Sequence, residues 1–334
     1  MSLKGKEIKI TIVIPSFNQG NYIEETIRSV ASQKYENKEL IVIDAGSTDN
    51  TVDIIRKYEK SIVYWISEKD EGQAHAINKG LQRATGDVFN WLNSDDYLEE
   101  GALQSVVQAF QENPAANVVC GFTHCFYDDA GTTSHSYRMG LKDTATETLL
   151  NVEMNQPGTF YKTDIVEKLG GVNESFRYVM DDELWMRYLM KYGQGEVFLT
   201  DKLLAHFRLH GSSKSVGEGY REFGRERYSI YAWLAEKAEL SEFLVEKIKE
   251  KNSITYVPQA TWDLKWFDRQ VFEGYFAGVW MHHFYRHFQY HEARSCFKKF
   301  WRGNVNRQPL KHLLFMLKLF VVPAFLLDLF RKAS

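Results

Sequence analysis

Short apolar runs rich in valine and isoleucine alternate with amphipathic stretches through the first half of this 334-residue chain. Such alternation is typical of βαβ units, in which helices bury both faces of a parallel sheet. Four runs fit strands of a largely parallel sheet, namely Ile10–Pro15, Glu39–Asp44, Val63–Ser67 and Val88–Leu92. The pattern therefore predicts an α/β fold for this part of the chain.

The segments between these runs carry recognisable helix starts. Asn21 followed by Glu24 fits a capping box before one helix. Asp49 or Asn50 can cap the next helix through a side-chain oxygen. A further helix is predicted over Glu100–Gln111. These helices supply the crossovers that parallel strands require.

The rest of the chain has a different residue pattern. Residues 118–139 alternate like a β-hairpin with Asp129–Gly131 at its turn, and a helix is predicted around Tyr220–Leu240. Beyond residue 262 the sequence is aromatic, basic and helical in pattern. Chain length and pattern together predict an α/β domain over residues 8–215 and a helical C-terminal region over residues 216–334.

Polar segments follow each of the four predicted strands, at the edge where open α/β sheets bind ligands. They read PSFNQGNY, DAGSTDNT, SEKDEGQAHAINKG and NSDDY. The glycine patterns of dinucleotide-binding and P-loop folds are absent from the sequence. A nucleoside diphosphate can be held instead by a divalent metal that bridges its phosphates to one or two carboxylates.

The acidic pair in WLNSDDY suits that metal. Asp95 is the first choice of ligand and Asp96 the second, with Mn²⁺ or Mg²⁺ as the ion because both favour oxygen ligands. An isolated pair of aspartates after a strand can equally well cap the next helix. The neighbouring polar segments favour the metal.

In this order and spacing the motifs resemble glycosyltransferase family 2, whose members are inverting enzymes with a GT-A fold. The resemblance covers about residues 8–215. It implies a Rossmann-like, mostly parallel central sheet with an appended helical C-terminal region, and contacts to the nucleotide donor from the four polar segments. The donor-binding residues implied are Pro15, Ser16, Phe17, Asn18, Asp44, Ser47, Asp70, Gly72, Asn78, Asn93 and Ser94.

Two positions depart from the usual family pattern. Asp44 is retained and corresponds to the aspartate that reads the base, usually uracil, but Ala45 replaces the second acid of that motif. The usual D-x-D metal motif reads Asn93-Ser94-Asp95, as in a subset of the family that carries N-S-D-D. The resemblance implies a nucleotide-sugar donor, with a UDP-sugar favoured, and assigns Asn93 to the ribose or sugar.

Transfer with inversion needs a general base beside the acceptor hydroxyl. The segment RYVMDDELWMRY resembles the family segment in which the aspartate four residues before tryptophan is the base, which implies Asp181. Asp182 and Glu183 are alternatives, because three consecutive acids make a one-residue shift easy. Acids at a helix N-terminus also complement the helix dipole, and both interpretations can hold together.

The departing diphosphate needs its charge offset. The segment FRLHGSSKS resembles a family loop whose histidine reaches the metal or the diphosphate, which implies His210 as a metal residue. Arg208, Ser213 and Ser215 are implied as phosphate contacts. A histidine in a loop can also be merely solvated.

Acceptor recognition is implied for the segment NQPGTFYK. Its candidates are Gln156 and Thr159, and Asp182 beside the predicted base is a third. The Pro157-Gly158 pair is equally well explained as a turn.

Charge is unevenly distributed along the chain. The formal net charge is −3, yet residues 265–334 hold twelve Lys or Arg against four Asp or Glu. Nucleic acid is not the expected partner, because the chain as a whole lacks a basic excess. Residues 313–330 are apolar but interrupted by charges and a proline, which favours an interfacial helix at an anionic membrane surface over a simple span. A helical hairpin packed on the first domain, or a dimer interface, fits equally well.

The resemblance to glycosyltransferase family 2 implies an inverting, metal-dependent hexosyl- or N-acetylhexosaminyl-transferase. It would carry a sugar from a nucleoside diphosphate to a glycan or lipid-linked acceptor, and the resemblance implies surface-polysaccharide synthesis as the setting. Three cysteines without a CxxC pair, and a start without a signal-peptide pattern, predict a cytoplasmic location, at the inner face of the plasma membrane if the tail binds lipid.

Two alternatives come from different classes of function. A catalytically silent nucleotide- or glycan-binding module is suggested by Ala45 and Asn93. Retention of Asp95, Asp181 and His210 argues against it, because binding alone does not require a base. A sugar nucleotidyltransferase is the other alternative, but SFNQGNY does not provide the glycine-rich phosphate loop that such enzymes usually carry.

Overall fold

The computed structural model describes residues 3, 5–128, 134–216, 219–251, 255–287 and 289–304. Within these ranges nine strands form a single sheet. The strands are β1 (Ile10–Ser16), β2 (Lys38–Asp44), β3 (Tyr64–Ser67), β4 (Val88–Trp91), β5 (Tyr97–Leu98), β6 (Val118–Tyr127), β7 (His135–Tyr137), β8 (Thr159–Lys162) and β9 (Val197–Leu209).

Parallel strands form one half of the sheet. β1 lies between β2 and β4, and β3 lies outside β2, all in parallel register. Ser16 faces Asp44, which in turn faces Ser67, so the carboxyl ends of these strands meet at one edge. The four strands predicted from the apolar runs are confirmed, with their ends shifted by at most one residue.

The other half of the sheet is mixed. The full strand order is β3-β2-β1-β4-β8-β6-β9-β5, and β8 is antiparallel to both of its neighbours, whereas β6 and β9 are parallel. β7 pairs antiparallel with β6, as the predicted hairpin requires, and the predicted turn at Asp129–Gly131 lies outside the described residues. Parallel pairing still joins most of the paired residues, so the predicted mostly parallel sheet is confirmed.

Helices follow most of the strands. A short 3₁₀ turn spans Glu59–Ser61. The α-helices are α1 (Ile23–Ala31), α2 (Thr51–Lys57), α3 (Gln73–Leu81), α4 (Ala102–Glu112), α5 (Ala145–Leu150), α6 (Thr163–Lys168), α7 (Met180–Tyr192), α8 (Gly219–Lys237), α9 (Glu242–Lys249), α10 (Arg269–Arg286) and α11 (Tyr290–Asn304).

Two hydrophobic cores use alternate residues of β1. Ile12 and Ile14 belong to the core that also contains apolar residues of α1 and α4. Val13 belongs to the other core, with residues of α3 and α7. Because successive side chains of a strand point to opposite faces, this division places one core on each side of the sheet. Burial on both faces explains why the strand sequences are mostly apolar rather than alternating, with isolated buried polar residues such as Thr11, Glu39 and Asn90.

One helix start differs from its prediction. α1 begins at Ile23 with Tyr22 as its N-cap, and no side chain caps it, so the predicted capping box from Asn21 to Glu24 is wrong. The Glu24 carboxylate instead accepts a hydrogen bond from Tyr58 (2.9 Å) on the neighbouring segment. At α2 the N-cap is Asn50 and its side chain makes no capping hydrogen bond, while the Asp49 carboxylate accepts from the backbone N–H of Thr51 (3.1 Å).

The C-terminal helices pack on the α/β part of the chain. Phe272 and Phe276 of α10 are fully buried in the same core as Trp185 of α7. No helix within the described ranges is both long and apolar enough to cross a membrane. The predicted interfacial segment at residues 313–330 lies outside the described residues. The predicted division at residue 215 remains a prediction.

Candidate active site

A cleft of about 1150 Å³ opens at the sheet edge where the parallel strands end. Its walls come from the loops after β1, β2, β3 and β4, the start of α7 and the loop between β9 and α8. The fold thus brings together segments that are far apart in the sequence. The predicted site residues in its walls are Pro15, Ser16, Phe17, Asp70, Gly72, Asn93, Ser94, Asp95, Gln156, Asp181, Asp182, Arg208, His210, Ser213 and Ser215.

Asp95 and His210 meet in this cleft, although 115 positions separate them in the chain. The Asp95 Oδ2 and His210 Nε2 atoms are 3.1 Å apart. The other ring nitrogen of His210, Nδ1, lies 2.9 Å from Ser212 Oγ, and the backbone N–H of His210 donates to Ser213 Oγ (3.0 Å). The Tyr22 ring stacks on the imidazole at 4.5 Å. These contacts orient the imidazole toward the carboxylate.

Asp96 turns away from the cleft. It is fully buried, and its carboxylate accepts hydrogen bonds from the backbone N–H of Arg208 (3.0 Å) and from Asn93 Nδ2 (3.2 Å). Burial raises the pKa of Asp96 well above its usual range, and the charge of Asp95 adds to this. The structure therefore does not bring Asp96 to the predicted metal site. It holds the turn that presents Asp95.

Arg208 supports the same turn from behind. Its Nε donates to the backbone oxygen of Asp95 (3.0 Å), and its two terminal nitrogens contact the carboxylates of Asp128 and Glu25. Its guanidinium lies 4.8 Å from the Phe126 ring centroid. Arg208 lines the cleft, but most of its donors are bound to protein. Its contact with phosphate remains a prediction, for which the donors not bound to protein are left.

The loops after β1 and β2 are tied to each other. The backbone N–H of Asn18 donates to Ser47 Oγ (2.7 Å), and Asn18 Oδ1 accepts from the backbone N–H of Thr48 (2.9 Å). Asn18 adopts a left-handed φ of 52°, which asparagine tolerates better than most residues. Asn18 and Ser47 thus join the two loops rather than line the cleft. Phe17, 57% exposed, stands in the wall beside them.

Asp44 lies beneath these loops and is fully buried. Its carboxylate accepts hydrogen bonds from the backbone N–H groups of Gly46 (3.1 Å) and Ser47 (2.9 Å) and from Ser67 Oγ (2.6 Å). Protein donors therefore occupy its oxygens, and the structure does not bring it to the cleft surface. Contact between Asp44 and a nucleotide base remains a prediction.

The loop after β3 turns sharply into α3. Gly72 has a φ of 120°, which favours glycine, and its backbone N–H donates to Asp70 Oδ1 (2.8 Å). Gln73, the first residue of α3, donates from Nε2 to Asn93 Oδ1 (2.7 Å). Asn78, farther along α3, lies outside the cleft and bonds instead to the backbone N–H (2.9 Å) and C=O (2.8 Å) of Val172. Its predicted donor contact is not supported by this position.

Asp181, the candidate base, lies in the first turn of α7. Burial raises the pKa of Asp181 to about 7, the charge of Asp182 contributes in the same direction, and Arg227 opposes it. Asp182 Oδ2 accepts two hydrogen bonds from Arg227, at 3.0 and 2.5 Å. Because a carboxylate paired with arginine is a poor proton acceptor, the geometry favours Asp181 over Asp182. A group with a pKa near 7 suits proton transfer near neutral pH.

Glu183, the third acid of this segment, is fully buried and faces away from the cleft. Both of its oxygens accept from Arg187, at 2.9 and 2.6 Å, and Tyr256 donates to it as well (2.7 Å). Arg187 also donates to the backbone oxygens of Leu169 and Gly171. Glu183 is therefore part of a buried ion pair that anchors α7.

We expect Arg187→Met to lower the free energy of unfolding by about 3–5 kcal/mol, because it leaves the Glu183 carboxylate buried without its partner. Urea denaturation measures this change. Arg225→Met, which removes an exposed arginine–glutamate pair with Glu222, is the matched control and should change it by less than about 1 kcal/mol. Equal destabilisation by the two variants would contradict the structural role of Arg187.

Of the predicted acceptor residues, only some face the cleft. Gln156 does so; its Nε2 donates to the backbone oxygen of Trp91 (2.6 Å), while its Oε1 has no protein partner. Thr159 is buried at the start of β8, where its hydroxyl bonds to the backbone oxygen of Asn155. The structure does not bring Thr159 to the cleft. Gln156 lines the cleft, but its unpartnered Oε1 atom is buried.

Several residues in the cleft were not predicted from the sequence. Gln73 and Arg227 bind the predicted residues Asn93 and Asp182, Tyr137 reaches the wall from β7, and Lys214 reaches it from the loop after β9. Lys214 could have been found from its place in the HGSSKS segment, next to Ser213 and Ser215, which also line the cleft. Gln73 could have been found in the same way from the SEKDEGQAHAINKG segment, whereas Arg227 and Tyr137 are brought to the cleft only by the tertiary fold.

Comparison with known proteins supports the sequence resemblance. Residues 11–170 match the family model described as Glycosyl transferase family 2. An uncharacterized glycosyltransferase of Rickettsia typhi is 27% identical over 210 residues, which cover 60% of this chain and 64% of that protein, so less than two thirds of the relative is matched. The putative teichuronic acid biosynthesis glycosyltransferase TuaG of Bacillus subtilis is 28% identical over 250 residues, 67% of this chain and 92% of TuaG.

The fold is also that of a solved structure. The crystal structure of Staphylococcus aureus TarS residues 1–349 in complex with UDP-GlcNAc is similar with a TM-score of 0.55 and 18% identity, over 89% of this chain and 92% of TarS 1–349. At this identity the likeness concerns the fold alone, and it agrees with the predicted GT-A fold. Residues 11–170 are therefore similar to glycosyltransferase family 2, in a chain with a mostly parallel sheet and a cleft at its strand ends.

Proposed function

We propose that this protein transfers a sugar with inversion from a nucleoside diphosphate, favouring a UDP-sugar, to a hydroxyl of a glycan or lipid-linked acceptor. The observation that carries the proposal is the presence in one cleft of the Asp95–His210 pair and of Asp181 with a pKa near 7. The Asp95–His210 pair can hold a metal ion that offsets the charge of the departing diphosphate. Asp181 can accept the proton of the attacking hydroxyl, and a protein that only binds its ligand does not need such a base.

The residues at one end of the cleft fit a divalent metal. Asp95 and His210 would hold it, because a carboxylate oxygen and an imidazole nitrogen converge there within 3.1 Å. Such a small protein ligand set is usual where phosphate oxygens supply other ligands. When bound, the ion, Mn²⁺ or Mg²⁺, would offset negative charge on the diphosphate. Asp96 is left out of this set because its oxygens are bound to protein.

The proton transfer is assigned to Asp181. Its carboxylate accepts the proton of the acceptor hydroxyl while the acceptor oxygen bonds to the anomeric carbon of the donor sugar. The bond from that carbon to the diphosphate oxygen breaks on the opposite face, and its electron pair leaves with the diphosphate. Attack from the face opposite the leaving group inverts the configuration at that carbon. Asp182, held by Arg227, stays beside the base as a candidate acceptor contact.

The comparisons support a particular donor class and setting. TarS is solved with UDP-GlcNAc, and TuaG is named for teichuronic acid biosynthesis. The poly-β-1,6-N-acetyl-D-glucosamine synthase of Staphylococcus aureus is 31% identical over 114 residues, which cover 34% of this chain and 28% of that protein. We therefore propose a UDP-hexose or UDP-N-acetylhexosamine donor and a role in surface-polysaccharide synthesis. Action in the cytoplasm, at the inner membrane face, remains a prediction from the sequence.

A transfer assay tests the activity itself. Purified protein is incubated with Mn²⁺, a panel of UDP- and GDP-sugars and a bacterial lipid extract or oligosaccharide acceptors. Release of nucleoside diphosphate with matching formation of a β-linked product from an α-linked donor is the expected result. Products that retain the configuration of the donor would contradict the proposed mechanism.

The base assignment predicts a pH profile. Because Asp181 must be deprotonated to act, kcat/KM should rise with pH to a plateau above about 7. Arg227→Met should move this rise to higher pH, since the positive charge of Arg227 lowers the pKa of Asp181. Initial rates from pH 5.5 to 9 measure both curves. A rise at the same pH in both proteins would contradict the assignment.

A further inference from the structure

A lysine outside the matched motifs lies in the cleft. Lys214 Nζ donates to Gln73 Oε1 (2.6 Å) and to the backbone oxygen of Arg177 (2.9 Å), so it joins the start of α3 to the loop before α7. Both acceptors are neutral. Among the described residues no carboxylate forms an ion pair with Lys214, although the side chain is partly buried. An ammonium group has three donors, and these two contacts use two of them.

Arg177 brings a second positive charge to the same wall. It is exposed, its guanidinium lies 5.7 Å from the Tyr178 ring centroid, and it pairs with no carboxylate in the part of the chain that the structure describes. Burial lowers the pKa of Lys214, and the charge of Arg177 lowers it further, which reflects how close the two cations are.

The acids around this pair are bound to other groups, except Asp181, which attracts the charge of Lys214 without forming an ion pair with it. The Glu226 carboxylate accepts from the backbone N–H groups of Arg177, Tyr178 and Val179, at 2.8–3.0 Å. Asp182 binds Arg227, and Asp95 lies against His210. Two neighbouring cations without a contacting anion are unfavourable in a partly buried cleft. An anionic ligand between them would remove that cost.

The position of the pair indicates which anion fits. Lys214 follows His210 by four residues in one loop, and both Asp95 and Asp181 attract its charge. Its partner Gln73 binds Asn93, two residues before Asp95. Lys214 therefore lies near both the candidate metal residues and the candidate base. If the proposed function holds, the leaving diphosphate occupies this region.

We propose that Lys214, assisted by Arg177, binds the diphosphate of the nucleotide and stabilises the negative charge that it gains as the bond to the sugar breaks. This inference rests on the proposed function. Lys214 keeps its proton throughout, and the proton of the acceptor hydroxyl still goes to Asp181. The diphosphate would thus be held by protein cations in addition to the metal residues.

The test compares UDP with uridine. Lys214→Gln keeps N–H donors for both present contacts but removes the charge. We expect it to weaken UDP binding in EDTA by about 10- to 100-fold, because charge-assisted hydrogen bonds contribute about 1.5–3 kcal/mol. Uridine binding, followed by NMR, should be unchanged. Lys214→Arg should retain most of the UDP affinity, and Arg177→Gln, at the exposed rim, should show a smaller loss confined to UDP.

The outcomes separate this inference from the proposed function. Unchanged UDP affinity in Lys214→Gln, or equal losses for UDP and uridine, would overturn the diphosphate role while the wild-type affinity for UDP leaves the proposed function in place. A wild-type protein that binds no UDP would overturn both. Lys34→Gln, which removes a lysine that is 87% exposed on another surface, controls for the loss of one positive charge.

Discussion

Asp181→Asn should lower the rate of sugar transfer by about 10²- to 10⁴-fold while leaving the affinity for the nucleotide sugar nearly unchanged. The amide has the size of the carboxylate but cannot accept the proton of the acceptor hydroxyl. Asp181 is also separate from the Asp95–His210 pair that is proposed to serve the diphosphate. Turnover measured with saturating donor, together with calorimetric donor binding, tests both halves of this expectation.

The stability of the same variant provides its control. The folded-state pKa of Asp181, about 7, exceeds its ordinary value of 3.8, so folding favours the protonated form. That contribution is present at acid pH and is lost as the pH rises through 7. Asparagine cannot ionise, so Asp181→Asn should melt at a higher temperature than the wild type at pH 8, with a smaller difference at pH 5. An inactive variant that melts lower at pH 8 would contradict the assigned environment.

Asp95→Ala should reduce turnover by about 10²- to 10³-fold, a loss of the size seen when one group that stabilises transition-state charge is removed. It should also abolish the part of donor binding that depends on Mn²⁺, because the variant loses the only carboxylate in the proposed metal set. His210→Ala should change both quantities in the same direction. Donor titrations with Mn²⁺ and with EDTA measure the metal-dependent part.

Two substitutions serve as controls for Asp95. Asp201→Ala removes a carboxylate that is 92% exposed on β9 and should leave metal-dependent binding unchanged. Asp96→Asn alters the buried neighbour and should lower stability more than metal affinity, because its oxygens bind Asn93 and Arg208. If Asp96→Asn abolishes metal dependence and Asp95→Ala does not, the two assignments must be exchanged.

Much of the parallel sheet could be predicted from the sequence, because each of its strands is recognisable from its own residues and those directly after it. Strands such as Ile10–Ser16 are buried on both faces and therefore mostly apolar, and polar segments follow them immediately. The positions of β8 and β9 could not be predicted in the same way. β8 is short, and β9 includes polar and charged residues because part of it is exposed. Its pairing with β6 depends on contacts distant in the sequence.

Asp95 and Asp96 have different surroundings that could not be predicted from the sequence. Adjacent acids are equivalent in a motif, but the turn after β4 directs one carboxylate into the cleft and buries the other. Arg208, which fixes that turn, comes from β9, more than a hundred residues away. The same holds for Asn78, whose motif position predicts a donor contact, while its side chain binds the loop at Val172.

The acidic run at the start of α7 gives a parallel case. Three consecutive acids are candidates for the single general base, and only their partners in the folded structure distinguish them. Asp182 is bound by Arg227 from α8, and Glu183 by Arg187 one helical turn along α7. Asp181 is left without an arginine partner and with a raised pKa. Such a distinction depends on which cation reaches which acid, and the motif alone does not contain it.

Calorimetric titration of the wild-type protein with nucleoside diphosphates and nucleotide sugars, each in Mn²⁺ and in EDTA, tests the central claim most directly. The proposed function predicts that one nucleotide family, uridine first, binds saturably and more tightly with Mn²⁺ than with EDTA. If none of these compounds binds under either condition, the chain does not use a nucleotide-sugar donor, and a silent glycan-binding module on the same fold would be the better account.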